Sequence, residues 1–397
     1  MQKIGIVLCD SLPLPPVKGG AVETLLQSLV ELNEKEPKVD FVLYSNYEEL
    51  AEQQSHRYLH ADYLYFKPAA VERLADFCLK VIRRLSRQYL KRLTPSLYEI
   101  KAAKAFKKRG INKVVLANCP YFSLSFSKTK GFKIIQYLHN DYINIENIFA
   151  KTVLEHSNQV IAVSDFIKRR INEVAPLGLK TDTCYNGLDL DNYFRPCTDD
   201  ELEELRKKYS LNNSDKFIIY VGRLTDTKGI GALINAFEQL ASSFPEWKLM
   251  IVGGVTFSSS EKDTFVEGLY QKAKSIGHQV LFTGYVDYKD IYKYYQLSDL
   301  CVVPSLTNES FSLTSVEAQA SGLPVIISDA GGIIETISPK SGVIVNRGNQ
   351  FVENLCKAMS EIMTDEEKRN TMSAAARESA NRFPATSMFE RFIELVI

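Results

Sequence analysis

Histidine and tryptophan are scarce in this chain, with five and one among 397 residues. The seven cysteines stand apart at positions 9, 78, 119, 184, 197, 301 and 356, with no C-x-x-C pair and no histidine nearby. That spacing argues against a metal cluster, and scattered thiols in odd number fit a reducing cytosol, where they act as small core fillers. No stretch approaches about 20 uncharged apolar residues, so nothing reads as a membrane span. The first apolar run is cut at Asp10, too short for a secretory leader. Net charge is missing too. Lys plus Arg and Asp plus Glu balance at 48 each, so no global basic excess points to nucleic acid.

What is present is ordinary in composition and large. Hydrophobic residues make up 45% and charged residues 24%, as in a soluble globular protein. The length exceeds the size at which single cores stop growing, so two domains of about 200 residues each are expected.

Short apolar runs alternate with helical patterns in both halves. In the first half they lie at residues 4–9, 39–44, 114–117, 133–138, 159–163 and 181–185; in the second, FIIYVGR, LMIVGG, VLFTGY, LCVVPS and PVIIS begin at Phe217. Such alternation predicts an α/β chain with two doubly wound parallel sheets, and ligands gather at the carboxyl ends of their strands. The expected division is residues 1–195, a linker at 196–215, a second domain at 216–380 and a last helix at 381–397.

The most informative stretch is PSLTNESFSLTSVEAQASGLPVIISDAGGIIE, from Pro304 to Glu335. It reads as strand, loop, helix and strand, with Gly322 and Pro324 stopping the helix. Glu309 and Glu317 stand eight residues apart. On one helix that step rises ~12 Å, whereas the carboxylate pair of a glycoside hydrolase sits about 5 to 9.5 Å apart. Two contacts on one long ligand fit better than an acid and base. Amides of Phe311 to Leu313, at the helix N-terminus, suit a phosphate. Three further groups lie just past strand ends. Gly19-Gly20 between a strand and a helix is either a turn or a ligand loop; His139 is either a ligand contact or a surface or core residue. Arg223 and Lys228, on one loop, could grip both phosphates of a nucleotide diphosphate, Arg by its fork and Lys as a point charge, or merely be solvated.

Glu-x7-Glu followed by Ala-x-Ala-x-Gly-x-Pro-Val-Ile, then Gly-Gly and a Glu, resembles the donor-site signature of glycosyltransferase family 4, retaining nucleotide-sugar transferases of the two-domain GT-B type. The similarity extends over nearly the full length. It implies two Rossmann-like domains facing a cleft and a last helix that crosses back to the first domain. Residue by residue, it implies that Gly19 and Gly20 lie between donor diphosphate and acceptor, and that His139 contacts the donor sugar. Gly222, Arg223 and Lys228, in Gly-Arg-x4-Lys-Gly, match the diphosphate clamp. Tyr285 and Val286 hold the nucleobase edge through their backbone. Glu309 takes donor sugar hydroxyls and Glu317 the ribose. Asp299 matches an Ala-Asp before the donor strand and reads as a structural cap. The Asn-Gly-x-Asp turn at Asn186 to Asp189 accounts for an Asp-x-Asp that otherwise looks metal-binding, so no metal is expected. Ser310 and Ser312 depart from the family, which often has glycines there; the amides remain as donors, but glycine-only conformations become costly.

Charge is concentrated in one segment. Between Lys67 and Lys113 there are fourteen Lys or Arg against three acidic residues. Lys80, Arg83, Arg84, Arg87 and Lys91 fall on one side of a helical projection, which is either a solvated face or a surface for an anionic membrane or lipid-diphosphate acceptor. The resemblance implies a UDP-sugar donor, a glycan or lipid-linked acceptor and work on capsule, exopolysaccharide or glycolipid at the cytoplasmic membrane face. It also implies retention assisted by the leaving phosphate, with no cofactor. Two other classes stay open on the residues alone. A same-fold epimerase would yield a product that keeps its nucleotide; a non-catalytic transferase-like partner would keep its function without Arg223 and Lys228.

Overall fold

The computed structural model describes residues 1–9, 12–69, 72, 95–193, 195–254 and 264–397. It divides into two compact units, Met1–Gly187 with Ala385–Ile397, and Leu188–Pro384.

The first unit is built on a seven-stranded parallel sheet of order β3-β2-β1-β4-β5-β6-β7. Its strands are β1 (Lys3–Leu8), β2 (Asp40–Asn46), β3 (Ala61–Phe66), β4 (Lys113–Ala117), β5 (Lys133–Leu138), β6 (Gln159–Ala162) and β7 (Lys180–Thr183). The central strands are buried on both faces, as parallel strands covered by helices must be, and β1 and β5 bury every residue after the first. Helix α1 (Ala21–Lys35) turns Leu25, Leu26, Leu29 and Val30 inward, and helix α6 (Ala385–Val396) packs against it. Within that contact Phe392 is fully buried, its ring 6.4 Å from Phe41 and 5.3 Å from Tyr137. Burial of such a side chain contributes about 1.5–3 kcal/mol.

The second unit carries a six-stranded parallel sheet of order β10-β9-β8-β11-β12-β13. These strands are β8 (Lys216–Val221), β9 (Trp247–Val252), β10 (Val280–Gly284), β11 (Leu300–Val303), β12 (Val325–Ser328) and β13 (Gly342–Val345). All six residues of β9 are buried. Helix α3 (Ile230–Ala241) and helix α5 (Phe351–Thr364) share a core through Leu233, Phe237, Leu355, Met359 and Ile362. Asp299 ties β8 to the turn before β11: its carboxylate accepts from Phe217 N at 2.8 Å, and its own N–H donates to Phe217 O at 2.9 Å.

Two strands escape the sequence pattern. β3, ADYLYF, is an edge strand, mostly half-exposed, and its aromatic residues break the buried apolar run. β13, GVIV, is the edge strand of the second sheet, and its two middle residues are not buried. Among the described residues, no helix is long and apolar enough to cross a membrane.

Candidate functional site

In the second unit, β8 and β11 are neighbours in the sheet. Their following connections run to opposite sides, which makes their carboxyl ends a topological switch point. The loop after β8 and the loop after β11 abut there. Gly229 has a φ of +70°, and a Cβ at that position would collide with the Pro304 carbonyl. Close approach therefore needs glycine. Leu306 N donates to Thr227 O at 2.8 Å, which joins the two loops.

That joining brings Lys228 onto Glu309. The Lys228 ammonium lies 2.6 Å from Glu309 Oε1, and the Ser305 hydroxyl donates to the same oxygen at 2.6 Å. Glu309 is pinned through its backbone as well, its N–H donating to Ala330 O at 2.8 Å and its carbonyl accepting from Gly332 N at 2.7 Å. Arg347, just beyond β13, holds the loop from the other side. Its guanidinium donates to Leu306 O at 2.9 Å, Asn308 Oδ1 at 3.0 Å and Asp329 Oδ1 at 2.8 Å. That contact keeps the Asp329 carboxyl below its ordinary range despite burial acting the other way.

Arg223 is exposed. Its carbonyl accepts from the Tyr220 hydroxyl at 2.7 Å. The Tyr220 phenol is pushed up, first by burial and then by Glu309, with Arg223 opposing, so it feels both charges. Gly222 is fixed by a hydrogen bond from its N–H to Val252 O at 3.0 Å.

Helix α4 (Leu313–Ala320) starts directly after this loop. Ser312 is its N-cap, with φ −135° and ψ 100°, and its hydroxyl accepts from Ser315 N at 3.2 Å. Neither Ser310 nor Ser312 takes a positive φ, so the serines that replace glycines here impose no backbone strain. Phe311 turns inward, its ring 5.3 Å from Phe383. This anchors the turn and leaves the backbone at Ser310 to Leu313 as what it can offer a ligand. Glu317 is buried in the same helix and accepts from the Tyr295 hydroxyl at 2.9 Å. Burial pushes its pKa up to about 6, with the tyrosine hydroxyls opposing. At the far end of the sheet, Tyr285 follows β10 and is exposed, while Val286 packs against the core.

Other predicted site residues belong to the first unit. His139 follows β5, buried, its ring 4.2 Å from that of Tyr137. Burial lowers its pKa to about 3, with Asn186 opposing. Asn186 faces it outside hydrogen-bond geometry: among the described residues neither imidazole nitrogen nor Asn186 Oδ1 has a partner. The ring is thus neutral at physiological pH and can present a donor and an acceptor but not a proton in exchange. Gly19 and Gly20 have φ of +74° and +110° before α1, and the Glu23 carboxylate fills the space beside Gly20. Lys80, Arg83, Arg84, Arg87 and Lys91 lie outside the described residues. Among those that are described, no group of three or more His, Cys, Asp and Glu is placed to hold a metal ion.

Sequence reasoning missed Ser305, Asp329 and Arg347, which hold Glu309 in place. The signal for Arg347 was its position just past the short β13, itself unrecognised. It also missed the loop at 139–149, whose tyrosine and asparagine content carried no motif.

Residues 201–379 match the family described as glycosyl transferases group 1. The chain is similar to spore coat protein SA of Bacillus subtilis, 25% identical over 96% of this chain and 94% of that one. It is also similar to the D-inositol 3-phosphate glycosyltransferase of Corynebacterium aurimucosum, 32% identical over 50% of this chain and 46% of that one. Among solved structures, Anabaena Alr3699/HepE in complex with UDP-glucose superposes with a TM-score of 0.76 at 19% identity, covering 100% of this chain and 99% of that one. The fold is GT-B, two parallel-sheet α/β domains, and the chain is a glycosyltransferase whose residues 201–379 are similar to the group 1 family.

Proposed function

We propose that the protein transfers a sugar, with retention of anomeric configuration, from a nucleotide diphosphate sugar to a hydroxyl of a glycan or lipid-linked acceptor, and that UDP is the nucleotide. The observation that carries this reading is the Lys228–Glu309 pair at 2.6 Å, set at the switch point beside the N-terminus of α4. As the anomeric bond breaks, negative charge grows on the departing diphosphate. Arg223, Lys228 and the α4 amides supply positive charge held in place before reaction. Glu309 accepts from donor sugar hydroxyls while fixing the ammonium of Lys228, and Glu317 accepts from the ribose. His139, neutral, contacts a sugar hydroxyl. These groups meet the leaving-group charge themselves, which supports transfer without a metal. Support for UDP comes from the similar Anabaena Alr3699/HepE, whose structure is a complex with UDP-glucose. We place the enzyme on the cytoplasmic side, at the inner membrane face when its acceptor is lipid-linked.

The test is a thermal-shift panel of UDP, GDP, ADP and dTDP, each against its monophosphate, with and without EDTA. A larger shift for UDP than for UMP, lost on replacing Arg223 and Lys228 together and insensitive to EDTA, is the expected result. Equal shifts from di- and monophosphates would sink the clamp; a preference for GDP would sink the choice of nucleotide.

A further inference from the structure

The first unit contains a cavity of about 750 Å³ that the donor reading leaves unused. It opens where β1, β4 and β5 end: Cys9 follows β1, Asn118 follows β4, and the loop at 139–149 follows β5. β1 and β4 are neighbours whose connections diverge, so this is the switch point of the first sheet, where doubly wound folds hold ligands. Its volume lies within the roughly 300–1,000 Å³ of small-molecule sites.

The wall has a definite chemistry. Aromatic rings, among them Tyr121 and Tyr142, alternate with the amides of Asn144 and Asn147. Its charged lining residues are Asp141 and Glu146, and both face Arg170 of helix α2 (Asp165–Asn172), at 3.0 and 3.2 Å. Among the described residues, no lysine or arginine lines the cavity. A phosphate or carboxylate entering here would meet two carboxylates offset by a single guanidinium, a net negative wall among the described residues. A neutral sugar ring offers C–H faces to the aromatics and hydroxyl donors to the second lone pairs of the Asn144 and Asn147 amide oxygens; the N–H groups of those amides are already taken.

The loop is also set in advance. Asn147 Nδ2 donates to the Tyr121 hydroxyl at 2.8 Å and to Tyr142 O at 2.6 Å, and Asn147 Oδ1 accepts from Phe149 N at 3.0 Å. Asn144 Nδ2 donates to Asp141 O at 2.9 Å and its Oδ1 accepts from Glu146 N at 2.9 Å. A loop held by its own side chains loses little freedom on binding. Tyr142 and Ile148, both on the wall, remain 48% and 77% exposed, so apolar surface is offered at the mouth.

We propose that this cavity binds an uncharged sugar ring of the acceptor and selects against acceptors phosphorylated or carboxylated on that ring. The proposal rests on the transferase reading for the word acceptor, and on the cavity alone for the sugar.

The experiment is saturation-transfer NMR on the full chain with the methyl glycosides of glucose, galactose, mannose and N-acetylglucosamine, beside glucose 6-phosphate and glucuronic acid, with UDP thermal shifts on the same samples. At least one neutral glycoside should respond, and its response should fall at least about fivefold in Tyr142→Ala, the scale of one lost stacking contact, and fall in Ile148→Ala through lost apolar contact. The anionic sugars should be silent in the native chain and gain signal in Glu146→Gln, which leaves Arg170 less neutralised. Silence from all neutral glycosides, an equal response from the anionic ones, or an unchanged response in both wall variants overturns the proposal. A UDP shift without any sugar response removes this site and leaves the transferase reading standing. A sugar response without any nucleotide shift does the reverse.

Discussion

At the β8–β11 junction of the second unit, a lysine and a glutamate are in direct contact, an arginine is open to solvent and a helix begins. At the β1–β4 junction of the first, the strands open instead on aromatic rings, amides and two carboxylates that share the single guanidinium of Arg170. The strand order is the same in both units, save that the first has one strand more. Topology thus decides where a ligand can sit, and the residues of the strand-end loops decide its charge. The β8–β11 junction suits the anionic leaving group of the proposed reaction, and the β1–β4 junction suits the neutral sugar ring proposed to bind there.

The sharpest way to break this contrast is to strip the cations from the charged edge. Replacing Arg223 and Lys228 with alanine should lower the rate of sugar transfer by at least about 10³-fold, read as nucleotide diphosphate release, while binding of neutral sugars by the first unit is unchanged. A loss below tenfold would mean that the charge is met elsewhere. Arg347→Ala touches no proposed ligand but frees the Glu309 loop. It should reduce kcat about tenfold, with the UDP thermal shift largely kept; loss of nucleotide binding in parallel would make Arg347 a ligand contact instead.

Acid should act on the two units with opposite sign. His139 has a folded pKa of about 3 against an ordinary 6.5, so between those values the unfolded chain binds the proton and the first unit loses stability as pH falls. Glu317 has a folded pKa of about 6 against 4.5, so in that window the folded second unit binds the proton and gains stability as pH falls. Hydrogen exchange at β5 and at α4, measured at pH about 7 and about 5, reads the two separately. His139→Gln and Glu317→Gln should each flatten one response, and identical responses in both variants would contradict the assignment. The smallest effect belongs to Ser312→Ala. Loss of the N-cap should cost about 1 kcal/mol, a fall of about 2–4 °C in the melting point of a unit this size.

Much of the fold was legible because most of its strands are apolar runs closed by turn residues, a pattern that buried parallel strands require; among those read from the sequence β7, KTDT, is polar and is the exception. β3 and β13 were not legible, since both are edge strands with partly exposed residues, and neither gives the continuous buried apolar run of the inner strands. At the charged edge, Glu309, Arg223 and Lys228 could be picked out by spacing, but spacing could not say that Lys228 and Glu309 touch. That contact depends on Gly229 lying against Pro304, a tertiary fact. Ser305, Asp329 and Arg347 were illegible for the same reason. The cavity of the first unit lies furthest from sequence reasoning, because asparagine hydrogen bonds within an irregular loop form no period at all.

Helix α6 belongs to the first unit although the whole second unit precedes it in the chain. During synthesis, then, the body containing Met1 must wait, with the inward face of α1 lacking the partner that α6 supplies, until the other body has emerged and can close on its own core. A ribosome that stopped at Pro384 would release one finished half and one sticky half, so faithful termination matters more for the half that was made first.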